Sequence, residues 1–345
     1  MTKAIDLSIV IVTYNACAIA NECVNSFLQA ISKDTVYNYE LVIVDNSENN
    51  DVVNSLKNKG PLVTVINNHC NVGYAKASNI GYAQSHGEFV LFSNPDIVVN
   101  EQTLPNLVTY LKECDKDVGA CAPLIYLKGM GLADTDERDL SSHKGSPTIW
   151  NVFTHYSGLA KLCQSSKRLS SIFGRYYLMH RDFSVVHEVE SITGGFFAVK
   201  RAVFEEVGQW DEDYFLFGED VELSYQIRKR GYKIIFIPQA TAKHYQGATT
   251  GLFKFGQTKT HVDRNTVKRS RKEFYAAMKK FFDKNFQRKR HKVVRPIIFA
   301  GIALREGFDI FVEKYNDLQV IMPRFTIFLI SLPPRFRPTN RSYIE

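Results

Sequence analysis

The sequence predicts an α/β fold: a doubly wound, mixed but mostly parallel sheet, followed by a basic α-helical C-terminal region. Three observations carry that expectation. Short β-branched runs alternate with helix-compatible stretches over the first 125 residues. The runs are apolar almost throughout, as in strands covered on both faces, rather than alternating apolar and polar. After residue 251 the character changes to basic, helix-forming sequence.

The strand-like runs fall at 7–13, 40–45, 62–66, 89–93 and 118–124. Between them 20–31, 52–57, 75–85 and 104–112 have helical patterning, so each helix crosses from one strand to the next. Residues 127–190 lose the pattern. Gly129, Gly131, Asp134, Asp136, Ser141 and Ser142 precede an aromatic and basic stretch with Trp150, Tyr156, Arg175, Tyr176 and Tyr177, which reads as an insertion over the sheet edge or the site. Strands resume at 196–199 and 234–237. Between these two, a helix is expected from Glu219, with Val221 and Tyr225 one turn apart and Arg228, Lys229 and Arg230 in the last turn. Gly231 is its stop. These features divide the chain into an α/β domain over 1–252 and a basic helical region over 253–345.

The net charge of +7 conceals an asymmetry: residues 254–295 hold 15 Lys and Arg against three acids, so that segment carries +12 and the rest −5. The six cysteines include no C-x-x-C pair and stop halfway along the chain, which suits reduced, buried thiols in a cytoplasmic protein. The start of the chain lacks the order of regions of a signal peptide, and Pro323 and Arg324 interrupt the longest apolar candidate, 318–332. No nucleic-acid motif accompanies the basic segment.

Three strand ends carry polar groups: Thr13-Tyr14-Asn15, Asp45-Asn46-Ser47 and Ser93-Asn94-Pro95-Asp96. In an open α/β sheet such ends converge on one crevice. Asp45 is placed to accept from a ribose or base, and Asp96 is a hard oxygen donor suited to Mg²⁺ or Mn²⁺ bound with a diphosphate. The stretch from Asn71 through Gly73 and Lys76 to Asn79 opens a helix, so its N–H groups and Lys76 are candidates to face phosphate. Turn-forming Asp, Asn and Ser are also common there for purely structural reasons.

Glu219 and Asp220 stand in the first turn of their helix, where backbone N–H groups and the dipole favour ionised acids. A carboxylate so placed is ready to accept a proton. Successive helix residues point about 100° apart, so the two acids cannot both aim at one group.

The ordered set TYN (13–15), VIVDNS (42–47), NVGYAKASNIG (71–81), FSNPD (92–96), TGGFFAVKR (193–201), GQWDEDYFLFGEDVELSYQIRKRGY (208–232) and His244 resembles the inverting family 2 glycosyltransferases of GT-A fold, and within them the bacterial rhamnosyltransferase-like branch. The resemblance covers residues 7–251. It implies that Thr13, Tyr14, Asn15, Asp45, Asn71, Gly73, Lys76, Asn79 and Asn94 serve the nucleotide-sugar, and that Gly194, Gly195 and Trp210 lie toward the sugars. Asp220 becomes the catalytic base with Glu219 beside it, and Asp96 and His244 the metal site for Mg²⁺ or Mn²⁺. Asn94 stands where the family's DxD motif has its first acid, which removes one charge from that site.

The implied reaction inverts a sugar moved from a nucleotide-sugar, dTDP-L-rhamnose first and a UDP-sugar second, to a hydroxyl of a lipid-linked glycan acceptor in bacterial surface polysaccharide synthesis. Two other readings compete: a sugar nucleotidyltransferase, disfavoured because Tyr14-Asn15-Ala16-Cys17 is no glycine-rich phosphate loop, and a non-catalytic sugar- or lipid-binding module. In the basic region Phe274, Met278, Phe281 and Phe282 recur at helical spacing. That amphipathic helix, with apolar segments at 297–304 and 321–332, suggests peripheral attachment to an anionic membrane at the inner face of the cell membrane, or packing on the catalytic domain or a second subunit. A homo-oligomer is left open.

Overall fold

A computed structural model of the chain describes residues 4–127, 138–163, 165–245, 264–287 and 289–321. In chain order the first half gives β1 (Leu7–Thr13), α1 (Cys17–Lys33), β2 (Tyr39–Asp45), α2 (Asp51–Leu56), β3 (Val63–Asn67), α3 (Tyr74–Ala83), β4 (Phe89–Ser93), β5 (Ile97–Val99), α4 (Thr103–Glu113) and β6 (Val118–Leu127). Then come α5 (Ile149–Tyr156), α6 (Leu159–Leu162), α7 (Lys167–Phe173), β7 (His187–Val189), β8 (Phe196–Lys200), α8 (Arg201–Glu206), α9 (Glu219–Lys229) and β9 (Lys233–His244). Two helices follow, α10 (Arg264–Asn285) and α11 (Lys289–Ile321).

The nine strands form one mixed sheet in the order β3-β2-β1-β4-β8-β6-β9-β5, with β7 also paired to β9. From β3 to β4 the pairing is parallel, and β8 enters antiparallel between β4 and β6. Every residue of β1 is buried because helices cover both faces: Leu7, Ile9 and Ile11 pack with α1 and α4, while Val10 joins Phe92, Phe197 and Trp210 on the other side. The expected run at 7–13 is therefore a central strand.

The short strands β5 and β7 and the helices α5–α7 escape sequence patterning, since three-residue strands and four- to eight-residue helices offer too few periods to detect. Residues 128–137, with Gly129, Gly131, Asp134 and Asp136, lie outside the described residues, as do 246–263 and 322–345, which hold most of the 321–332 segment. All six cysteines are free, but only Cys23 and Cys121 are buried; Cys17, Cys114 and Cys163 are half-buried and Cys70 is exposed.

The chain divides into two compact units, Met1–Asn285 and Phe286–Glu345. The boundary expected at residue 252 from composition gives way to one at 285, because α10 packs on the first unit. Its Tyr275, Ala277, Phe281 and Phe282 are buried, and Phe281 meets Tyr225 of α9 edge-on at 5.8 Å between ring centroids. Lys284 bridges Asp211 and Asp213, both at 2.5 Å. Of the basic region, α10 is thus a structural part of the first unit. Among the described residues no helix is long and apolar enough to cross a membrane.

Candidate active site

The strand ends β1 and β4, the loop before α3, the Thr193–Gly195 turn, the start of α9 and one face of α10 enclose a cavity of about 230 Å³. Its entry into α9 is tightly determined. Phe217 and Gly218 adopt consecutive left-handed conformations, φ 67° and 83°, which swing the chain into the helix. A Cβ on Gly218 would come within 2.9 Å of Ala277 of α10, so only glycine allows α10 to close that side. Gly231 (φ 92°) ends the helix as expected.

Asp220 projects into the cavity and is held by backbone. Its Oδ2 accepts from the Gly194 N–H at 3.1 Å and its Oδ1 from the Val221 N–H at 2.8 Å. Tyr74 donates its hydroxyl hydrogen to the Gly194 carbonyl at 2.6 Å, fixing the same turn from the other side. Burial first, and then the charges of Glu219, Asp220 and Asp96, push the Tyr74 phenol far up, so this ring stands within reach of all three acids. Gly73, at φ 90°, lets the chain pass against Phe215, whose carbonyl accepts the Tyr74 N–H at 2.8 Å.

Glu219 departs from the expectation that both first-turn acids are ionised. Burial, and then the Asp220 charge, raise its carboxyl to about 8, and its Oε2 is buried without a hydrogen-bond partner. At neutral pH the pair thus divides into a protonated Glu219 and its neighbour Asp220.

Asp96 and His244 come together through sheet register, because Ile97 of β5 pairs with His244 at the end of β9. His244 Nε2 lies 3.4 Å from Asp96 Oδ1, and its Nδ1 lies 2.7 Å from Asp139 Oδ2. Burial works against a charged imidazole, but the two aspartates outweigh it and raise His244 to about 10. Asp96 Oδ1 is buried with no hydrogen-bond partner. Asp96 Oδ1 and His244 Nε2 are thus two candidate donors for a divalent cation. Among the described residues, however, no group of three or more His, Cys, Asp or Glu is arranged to hold one, so a cation there would need a deprotonated His244 and further oxygens, as from a diphosphate. Asp139 was not foreseen: it lies in the stretch without pattern, and only the fold brings it to His244.

Of the residues expected at the site, Thr13, Tyr14, Asn71, Gly73, Asn94, Gly194, Gly195, Glu219 and Asp220 line the cavity. Asp96 and His244 sit just beyond Asn94 and Pro95, behind that wall. Five others face elsewhere. Trp210 is a core residue, 2% exposed and edge-on to Phe92, Phe197 and Tyr74, and does not reach a sugar. Asn79 clamps the backbone of Trp210 through its amide, and Lys76 points to solvent on the outer face of α3. Asn15 turns away with φ 49°, its N–H bonded to Ser47 Oγ. Asp45 is wholly buried and held by Ser47, and Asn46 takes its place on the cavity wall. The second oxygen of Asp45, Oδ2, is buried with no hydrogen-bond partner.

The cavity also uses residues that sequence reasoning placed elsewhere. Arg269, with Thr266 and Ser270, enters from α10, and its guanidinium lies 4.2 Å from the centroid of the Phe215 ring. Among the described residues it is the single Lys or Arg of the lining.

Comparison with known proteins agrees with this geometry. The family model described as Glycosyl transferase family 2 matches residues 8–208, and that of Glycosyl transferase family group 2 matches 123–305. The chain is 24% identical over 256 residues to the N-acetylglucosaminyl-diphospho-decaprenol L-rhamnosyltransferase of Mycobacterium tuberculosis, covering 71% of this chain and 78% of that one. It is 22% identical over 244 residues to the O-antigen chain rhamnosyltransferase WbaN of Salmonella anatum, covering 70% and 67%. A solved structure of GalNAc-T7 with UDP, GalNAc and Mn²⁺ superposes with a TM-score of 0.51 at 21% identity, over 71% of this chain and 44% of that one, which establishes a shared GT-A fold.

Proposed function

The chain belongs to glycosyl transferase family 2, and we propose that it is a metal-dependent inverting enzyme that moves a sugar from a nucleotide-sugar to a hydroxyl of a lipid-linked glycan. The observation that carries this reading is the position of Asp220. Its carboxylate shares the cavity with the strand ends Thr13, Tyr14 and Asn94, and is aimed by the Gly194 N–H.

In this reading the nucleotide lies along the strand ends and the Asn71–Gly73 loop, with its diphosphate toward Arg269 and toward Asp96 and His244. A divalent cation held there would neutralise the charge gathering on the leaving diphosphate. Asp220 takes the proton of the acceptor hydroxyl as that oxygen bonds to the anomeric carbon. The bond from that carbon to the diphosphate breaks on the opposite face, so configuration inverts. Protonated Glu219 adds no second negative charge near the attacking oxygen. Gly194 and Gly195 let the acidic pair and Asn94 pack close to this turn: a Cβ at Gly194 would lie 3.3 Å from Glu219 Oε1, and one at Gly195 2.9 Å from the Asn94 amide nitrogen.

The names of the relatives favour L-rhamnose, from dTDP-rhamnose, as donor sugar and a polyprenyl-diphosphate-linked glycan as acceptor. Such an enzyme works from the cytoplasm at the inner face of the membrane, in the assembly of a surface polysaccharide. Incubating the purified protein with dTDP-rhamnose, UDP-sugars, a lipid-diphosphate-linked N-acetylhexosamine and Mg²⁺ or Mn²⁺ tests it. A product of inverted configuration by mass and proton NMR is expected. No product with any donor, or a product of retained configuration, would overturn it.

A further inference from the structure

The helices α5, α6 and α7 are amphipathic in the reverse sense. Their small polar residues Asn151, Thr154 and Ser170 are buried against the protein. Their large apolar residues Ile149, Trp150, Phe153, Leu169 and Ile172 face outward and are 45–56% exposed. Ile149, Trp150 and Phe153 share one face of α5, and Leu169 and Ile172 one face of α7. The two faces join at Trp150, whose indole N–H donates to the Ile172 carbonyl at 3.1 Å and whose ring lies 5.7 Å from that of Phe173. Exposed apolar surface in one contiguous patch needs a partner.

Charge identifies the partner. Residues 149–181 contain Lys161, Lys167, Arg168, Arg175 and Arg181 and no Asp or Glu. All five are exposed, and of these Arg175 pairs with Glu190. A second copy would set like charges against like, whereas an anionic lipid surface offers both the negative headgroups and an apolar interior for Trp150, Phe153 and Ile172. The patch is also tied to the cavity. Directly after α7 comes the turn Arg175–Tyr177, whose Tyr176 stacks on His155 of α5 at 4.7 Å and is close enough to Asp220 to feel its charge.

We propose that the outward face of α5 and α7 is a membrane-docking surface for anionic lipid, which sets the cavity at the height where a lipid-held acceptor presents its sugar. The proposal rests on the membrane-side reading of the function, and locates the contact in this insertion rather than in the basic tail alone.

The chain holds two tryptophans, Trp150 at 46% exposure and Trp210 at 2%, so Trp150 is a built-in reporter. The full-length protein would be mixed with vesicles of phosphatidylcholine, with and without phosphatidylglycerol, and with lipids brominated on the acyl chains. With the anionic vesicles, a blue-shifted emission quenched by bromine is expected, and Trp150→Phe should abolish the change. Phe153→Ser with Ile172→Ser, or Lys161→Gln with Lys167→Gln and Arg168→Gln, alter exposed positions only and should each weaken partitioning about tenfold or more. Vesicle binding with Trp150 emission unchanged would assign attachment to the tail and overturn the proposal. So would shielding of Trp150 that grows with protein concentration in the absence of lipid, which would mean self-association. Nucleotide-sugar binding without vesicles should be the same in all these variants, so failure of the surface and failure of the reaction scheme give different results.

Discussion

The Gly194 N–H donates to the Asp220 carboxylate at 3.1 Å, a bond that couples the first turn of α9 to the turn before β8. The bond fixes which way the carboxylate points. It also explains why a glycine-aromatic segment and an acidic helix start, 26 residues apart, act as one unit. The proposed proton acceptor is thereby aimed by the main chain rather than by another side chain.

The neighbouring Glu219 gives a pH signature. Its folded-state value of about 8 lies above its ordinary 4.5, so between those limits the folded chain keeps a proton that the unfolded chain has lost. Stability therefore falls as pH rises through that window, and the loss is complete above it. Glu219→Gln removes the penalty: its melting temperature relative to the unaltered protein should climb from about pH 5 to about pH 8 and then level off. Thermal melts across that range measure it, and parallel curves for the two proteins would refute the burial argument.

Asp139 orients His244 through Nδ1, leaving Nε2 for the face shared with Asp96. Asp139→Asn should weaken Mn²⁺ binding, read by electron paramagnetic resonance with nucleoside diphosphate present, by roughly 10–100-fold. Unchanged affinity would detach Asp139 from the metal site.

Arg269 is the cation through which α10 contributes to the cavity. Replacing a charge-assisted bond to phosphate by alanine removes about 1.5–3 kcal/mol. Arg269→Ala should thus weaken nucleoside diphosphate binding by at least about tenfold in calorimetry, with Arg269→Lys between the two. Equal affinity of all three proteins would place the diphosphate elsewhere.

The sheet was legible because its strands are buried on both faces and read as unbroken apolar runs, as at Leu7–Thr13, which matches β1 residue for residue. The acidic pair was legible because a helix stop at Gly231 and basic last-turn residues bracket it. What stayed hidden depended on long-range contact. Asp139 acquires meaning only when the end of β6 pairs with β9 beside it. Arg269 sits in a basic helix whose charge suggested a membrane tail, whereas burial of its apolar face brings it to the cavity. Trp210 lay within a recognisable segment and was taken for a sugar contact, yet its indole fills the core beneath the site. The helices of the insertion escaped because, at four to eight residues, they span too few turns to show a period.

The central claim is that Asp220 is the proton acceptor for glycosyl transfer, and single-turnover transfer by Asp220→Asn beside direct measurement of donor binding tests it most directly. Turnover should fall by about 10²–10⁴-fold while donor affinity stays the same. Transfer at an undiminished rate in that variant would contradict the account.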